Sequence, residues 1–138
     1  MKQRTPVSAI MTKNLIALTR SDDLQRAETL FNRYKIKHIP VVSGETVIGM
    51  FSYSDLLKIS YADITEDEHN INSVVYNTFT IEQVMVKNVV EINSETTIKD
   101  AAKILAEREF HALPVVDDGN LVGIVTTTDL LNYFIDQF

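Results

Sequence analysis

Apolar and polar positions along this chain trace one pattern twice. Leu24, Ala27, Leu30, Phe31 and Tyr34 recur at near-helical spacing, and Ile98, Ala101, Ala102 and Leu105 do so again further on. Each run predicts an amphipathic helix, with Asp22-Asp23 or Glu95 near the end where the helix dipole favours negative charge. A short apolar run precedes each helix, Leu15–Leu18 and Val89–Ile92, and reads as a strand. After each helix come two β-rich runs. His38–Val42 and Thr46–Phe51 predict a hairpin around Ser43-Gly44; Leu113–Val116 and Leu121–Val125 predict another around Asp118-Gly119. A closing helix follows Gly49 or Gly123. Ahead of each set, Thr5-Pro6 and Thr80 read as helix starts, since Pro suits the first helical position and Thr80 with Gln83 spells a capping box.

The pattern is a duplication. Shifted by 74 positions, residues 7–57 fall onto 81–131 without a gap: Met11 on Met85, Ala27 on Ala101, Pro40-Val41-Val42 on Pro114-Val115-Val116, Asp55-Leu56-Leu57 on Asp129-Leu130-Leu131. The expected fold class is α+β, two β-α-β-β-α repeats packed as a pseudo-twofold pair. Half a chain of this length buries too little apolar area to stand comfortably alone, so the repeats should bury their sheet faces on each other and carry two related sites in the cleft. The expected boundaries are residues 1–60 for the first repeat with its lead-in, 61–78 for an acidic connector, and 79–138 for the second repeat. The connector reads as a solvated extension of the first closing helix. His69 stands there beside Glu66, Asp67 and Glu68, but a lone histidine in an acidic run is ordinarily just solvated, and no metal is assigned to it.

Composition narrows the function. With 45% hydrophobic and 23% charged residues, the chain has the balance of a soluble globular protein. A net charge of −6 argues against a nucleic-acid backbone as partner. The absence of cysteine excludes disulfides and thiolate metal sites. The N-terminal residues lack the apolar run of a signal peptide, and no stretch approaches the roughly 20 apolar residues that span a bilayer. No membrane partner and a cytoplasmic location are the expectations.

Two segments could do chemistry: Gly49-Met-Phe-Ser52-Tyr-Ser-Asp55 and Gly123-Ile-Val-Thr126-Thr-Thr-Asp129. Each runs from a strand through glycine into a helix start, with a hydroxyl and an Asp three residues apart. A helix N-terminus offers N–H groups to an anion, and a carboxylate can accept both hydroxyls of a ribose. The same Ser/Thr-x-x-Asp spacing is also a capping box that needs no ligand. One carboxylate oxygen can cap while the other faces outward, so the two readings coexist. No Ser-His-Asp order, metal-ligand cluster or P-loop is found, and neither an enzyme nor catalytic residues are expected.

Together, Ile10-Met11-Thr12, Val84-Met85, His38-Ile39-Pro40-Val41-Val42, Ala112-Leu113-Pro114-Val115-Val116 and the two Gly…Ser/Thr-x-x-Asp segments make the chain resemble a tandem pair of cystathionine-β-synthase (CBS) domains. The resemblance covers nearly the whole chain. It implies a regulatory module that binds AMP, ADP or ATP, or alternatively S-adenosylmethionine, as a regulatory ligand and not as a catalytic cofactor. It makes Asp55 and Asp129 ribose-binding carboxylates, with Ser52 and Thr126 as hydroxyl partners and Lys37, His38 and His111 as phosphate-contacting groups. It also implies that the start of one repeat completes the site ending the other, so Thr12, Asn14 and Ala17 would close the site on Thr126 and Asp129. Val86 stands where Thr12 has its counterpart and cannot donate, which weakens the Ser52/Asp55 site. Ile39, Pro40, Leu113 and Pro114 could flank an adenine ring or simply fill the core. Without an attached effector domain, the module would act on another protein. A ligand-free interaction module is the competing reading. Leu130, Leu131, Phe134, Ile135 and Phe138 form an apolar stripe that suggests a homodimer.

Overall fold

Two antiparallel hairpins organise the fold, and the same residues shape both. The computed structural model describes residues 4–62, 79–108 and 110–138; most of the expected connector, with Glu66, Asp67, Glu68 and His69, lies outside the described residues. In the first half, α1 (Leu24–Tyr34) leads to β1 (His38–Ser43), β2 (Thr46–Ser52) and α2 (Tyr53–Ala62). A short α3 (Ile81–Val84) opens the second half, followed by α4 (Ile98–Glu107), β3 (Ala112–Asp117), β4 (Asn120–Thr126) and α5 (Thr127–Asp136). β1 pairs with β2 and β3 with β4 in one register: Val41 faces Gly49 and Val115 faces Gly123, with a bulge just after Val41 and after Val115. The fold is α+β, with a two-stranded sheet in each repeat.

The turns differ. Asp118 (φ 52°) and Gly119 (φ 81°) both take positive φ between Asp117 and Asn120, the pairing that a type I′ turn demands. In the first hairpin the loop is Gly44-Glu45, one residue later than expected. Gly44 alone has positive φ at 63°, the arrangement of a II′ turn.

The helices begin where their caps place them. Asp23 accepts the Arg26 N–H at 2.7 Å, and Thr97 accepts that of Asp100 at 3.1 Å. Thr80 and Gln83 form the expected capping box, at 3.0 and 3.2 Å. Pro6 does not occupy a first helical position; it precedes a 3₁₀ turn at Val7–Ala9 with extended ψ of 154°. Tyr34 also departs from its expected face. It lies 48% exposed at the end of α1, with the Arg33 guanidinium 5.6 Å from its ring centre.

The expected strands at Leu15–Leu18 and Val89–Ile92 shrink to single bridges, Leu18 on Val41 and Ile92 on Val115, both parallel. Leu18 donates its N–H to Pro40 O and its carbonyl accepts the Val42 N–H; Ile92 does the same between Pro114 and Val116. Two residues back, the ladder would need the N–H of Pro40 or Pro114, which proline lacks. The strand-pairing prolines thus end the third strand of each repeat after one rung.

The chain divides into two compact units, and neither is one continuous repeat. One joins the segment up to Leu15 to Val89–Phe138; the other runs Ile16–Asn88. In the first, Val7 is fully buried among Ile92, Ile98, Leu113, Val115 and Val125, held by Val7 N–H to Thr96 O at 2.7 Å and Ile98 N–H to Thr5 O at 2.8 Å. In the second, Ile81 and Met85 are buried with Leu18, Leu24, Phe31, Ile39 and Phe51. Burying each such side chain is worth about 1.5–3 kcal/mol. Each repeat's lead-in is therefore anchored in the other repeat's core.

Candidate functional site

The lead-ins reach the helix-start segments because glycine lets them. A Cβ on Gly123 would stand 2.6 Å from Met11 Sδ and 3.2 Å from Thr12 O. One on Gly49 would collide with Met85 Sδ and lie 2.9 Å from Val86 O. At Gly49 a Cβ would press on backbone, and at Gly123 Met11 and Thr12 would have to give way. The backbone of Thr12 then pairs with β4, its N–H 2.8 Å from Ile124 O and its carbonyl 3.0 Å from Ile124 N. Met50 and Val86 make the matching pair at 2.9 Å in both directions.

Two residues beyond each bridge stands the capping residue of a helix, Ser52 or Thr126, and both helix starts are capped. Asp129 N–H donates to Thr126 Oγ1 at 3.2 Å while Asp129 Oδ2 accepts Thr126 N–H at 2.9 Å. Ser52 and Asp55 repeat this at 3.0 and 3.1 Å. The capping reading is therefore realised in both repeats. It engages one carboxylate oxygen of each aspartate. Among the described residues the Oδ1 atoms of Asp55 and Asp129 accept no hydrogen bond, and all four capping side chains are half-buried. The Thr126 hydroxyl, having accepted from Asp129, can still donate its own hydrogen.

His111 is brought to the Thr126 helix start by its backbone: its carbonyl accepts the Thr127 N–H at 3.0 Å. Lys37 O accepts Tyr53 N–H at 2.8 Å in the same way, and His38 pairs with Ser52 across the hairpin. Thr12 and Asn14 are exposed and belong to the unit that holds Thr126, Asp129 and His111; Ala17, also exposed, belongs to the other unit, one residue before the Leu18 bridge. Pro40, Leu113 and Ile39 are core residues of their strands. Val86, in the place of Thr12, is an exposed apolar side chain at 38%. The Thr126 helix start thus carries a carboxylate and a hydroxyl, with the Thr12 and His111 backbones paired to the elements that hold it, while at the Ser52 helix start Val86 stands in the place of Thr12. Among the described residues no group of three or more acidic or histidine side chains could hold a metal ion, and no helix is long and apolar enough to cross a membrane.

The geometry has known relatives. The CBS domain model matches residues 7–62 and 81–136. The chain belongs to the CBS domain family. It is 25% identical to the CBS domain pair of the protein MJ0100, solved in complex with 5′-methylthioadenosine and S-adenosyl-L-methionine, covering 97% of this chain and 98% of that one at a TM-score of 0.82. It is 26% identical to CBSX2 solved in complex with AMP, over 96% of this chain and 98% of that one, at a TM-score of 0.77. Among curated relatives, the protein MJ1404 of Methanocaldococcus jannaschii is 28% identical over 136 residues, 96% of this chain; the chain spans 32% of that protein's length. CBS pairs of this kind bind adenosine-bearing ligands in those complexes, and a regulatory role suits a CBS pair.

The sequence reading missed one feature of this neighbourhood. Phe31 packs on Phe51 with the rings tilted by 42° and their centres 5.9 Å apart, and lies edge-on against Tyr53 at 5.6 Å, but their counterparts Leu105, Val125 and Thr127 are smaller. The signal was present in the aligned repeats, in the three aromatic positions that do not match.

Proposed function

We propose that this chain is a regulatory sensor of adenine nucleotides, of the AMP, ADP or ATP type, with no catalytic activity of its own. The supporting observation is the Oδ1 of Asp129, left by the capping bond to Oδ2 and without a hydrogen bond among the described residues, on a helix start whose preceding strand pairs with Thr12. A ribose diol needs such an acceptor, and a phosphate needs the donors that Thr12, Asn14, His111 and the α5 N-terminus supply. The Ser52/Asp55 site, with Lys37 and His38 at its hairpin start, is the weaker one, because Val86 brings no hydroxyl to it. S-adenosylmethionine is the rival ligand, since it shares the ribose and adenine but carries no phosphate.

The test is a thermal-shift series with AMP, ADP, ATP with magnesium, and S-adenosylmethionine at millimolar concentration. A ligand at a hundred times its Kd adds about 2.7 kcal/mol, several degrees for a chain of this size. Stabilisation by a nucleotide supports the sensor; stabilisation by S-adenosylmethionine alone moves the assignment to that ligand. No shift with any of the four leaves the module as a docking element for an effector protein. A second reading is compatible with the first: Leu131, Phe134, Ile135 and Phe138, from 50% to 89% exposed, support a cytoplasmic homodimer through which the effector is reached. Light scattering at tens of micromolar reads the dimer directly.

A further inference from the structure

The two repeats part on their surfaces as well as in their cores. In the second, Leu105 and Thr127 take the places of Phe31 and Tyr53 and line an apolar groove of about 590 Å³ between α4 and α5. In the first, the difference is one of charge. Arg26 and Arg33 stand seven positions apart on α1, so on one face of the helix, and both are exposed. Glu28, the single acid of that helix, is half-buried. Tyr34 and Lys35 follow, both exposed, with the Arg33 guanidinium 5.6 Å from the Tyr34 ring centre. The exposed Lys37 comes two residues later. Among the described residues none of these four cations enters an ion pair. The second repeat has Asp100, Glu107 and Glu109 in the places of Arg26, Arg33 and Lys35, so the basic face belongs to the first repeat alone.

Lys35 adds a second observation. It ends α1 in the left-handed region, at φ 53° and ψ 40°, where glycine is the residue of choice. Asp118, the other non-glycine residue at positive φ among those described, is of a type that visits this region readily; lysine is not. A cation for the helix dipole is already present in Arg33. The strained position thus holds a charged side chain that no described contact explains. We infer that Arg26, Arg33 and Lys35, around Tyr34, form the docking surface for a short acidic segment of the protein that this module regulates. The inference deepens the reading that the module acts on another protein, and does not rest on the nucleotide reading. Charge complementarity selects the partner. In a chain of net charge −6 an extended polyanion meets overall repulsion, whereas a short acidic segment answers to the local face within a Debye length. Exposed Tyr and Arg are also residue types that dominate interface energetics.

The probe is a fluorescein-labelled peptide, Glu-Asp-Phe-Glu-Glu-Asp with a blocked C-terminus, titrated with the full chain and read by anisotropy. Binding should be micromolar at low salt and weaken severalfold as the salt rises through about 0.1–0.2 M. Arg26→Asp with Arg33→Glu copies the second repeat's charges onto α1, at exposed positions where α4 carries them, and should weaken binding about tenfold or more. Lys35→Gly should leave the melting temperature unchanged or higher, because glycine takes the positive φ without strain, and should weaken binding about two- to fivefold. A purely structural lysine would show no loss of binding. This variant decides the matter if the doubly substituted chain does not melt cooperatively. A peptide that does not bind the parent, or binds all variants alike, overturns the inference. So does tighter binding of a uridine oligonucleotide or of phosphatidylserine vesicles, which would make the face a polyanion site. Loss of self-association in place of peptide binding would give the face to a second copy and overturn it as well. The thermal shift with AMP should survive in every variant, since none of the three residues belongs to either helix-start site, so failure of the docking reading and failure of the nucleotide reading are separately visible.

Discussion

In one compact unit Phe31, Phe51 and Tyr53 meet ring against ring; in the other, Leu105, Val125 and Thr127 hold the same places beside an open groove. Around this difference the backbone framework is shared. Both hairpins keep their register and bulge, both glycines admit a methionine-bearing lead-in, and both helices start on a Ser/Thr-x-x-Asp box. The residues held in common are those the backbone cannot do without: a glycine where a Cβ would collide, a proline beside the single-rung bridge, a cap at each helix start. The residues that diverged fill space or face outward. A duplicated module can keep its architecture while one half becomes a sealed core and the other an open surface.

The sharpest way to break this comparison is to empty the sealed side. Phe31→Ala removes a ring that is 3% exposed and touches two others, and should cost about 3–5 kcal/mol. Leu105→Ala, at the wall of a groove open to its surroundings, should fall near the low end for buried leucine, about 2 kcal/mol. Urea denaturation of the two variants beside the parent reads the difference. Equal losses would mean that the aromatic cluster is no more tightly filled than its counterpart.

The same distinction separates what the sequence made legible from what it hid. Helices with a strong periodic face, both hairpins and every capping box could be read, because each depends on residues close together in the chain. The strand at Leu15–Leu18 was read too long, since whether it pairs beyond Leu18 depends on Pro40, more than twenty positions away. Tyr34 fitted the helical period but lies past the last turn that the core covers, and Pro6 stands before its turn instead of inside it. The aspartates were legible as both cap and acceptor, and the local geometry accommodates both. That Thr12 belongs near the Thr126 helix start was expected only from the resemblance to CBS domains; its bridge to Ile124 was not foreseen, because no periodicity or spacing in the chain supplies it. The groove escaped notice because it is made of substitutions that are each conservative in hydropathy and differ only in volume.

The two helix-start sites offer the next contrast. Asp129→Ala removes the Oδ1 acceptor as well as the cap, and should weaken adenosine-ligand binding tenfold to a hundredfold, or roughly 1.5–3 kcal/mol for charge-assisted hydrogen bonds. Asp55→Ala should lose about 1 kcal/mol of capping stability and change affinity less, since Val86 leaves its site without the hydroxyl that Thr12 brings to the other. Calorimetric titration of both variants ranks the sites. Unchanged affinity in both would reduce the motif to a cap, and a greater loss at Asp55 would reverse the ranking.

The smallest effect concerns a bond the first half does not have. Ser94 N–H donates to Asp117 Oδ1 at 3.0 Å, and the Ser94 hydroxyl, then its N–H, hold the Asp117 carboxyl below the ordinary value of 3.8 against a weaker opposing effect of desolvation. The matching residues in the first repeat are Arg20 and Ser43, which cannot make this pair. A carboxyl whose folded pKa is depressed favours the folded state above its unfolded pKa and loses that contribution as the pH falls through the lowered folded value. Asp117→Asn should therefore lower the urea midpoint slightly at pH 7 and at pH 5, and converge on the parent once the pH has fallen through the lowered folded value and the parent's own carboxylate is protonated. Ser94→Ala keeps the N–H donor and should show a weaker version of the same profile. A pH-independent difference between Asp117→Asn and the parent would mean that the side chain acts through shape, and that the charge on this link contributes nothing to the second half.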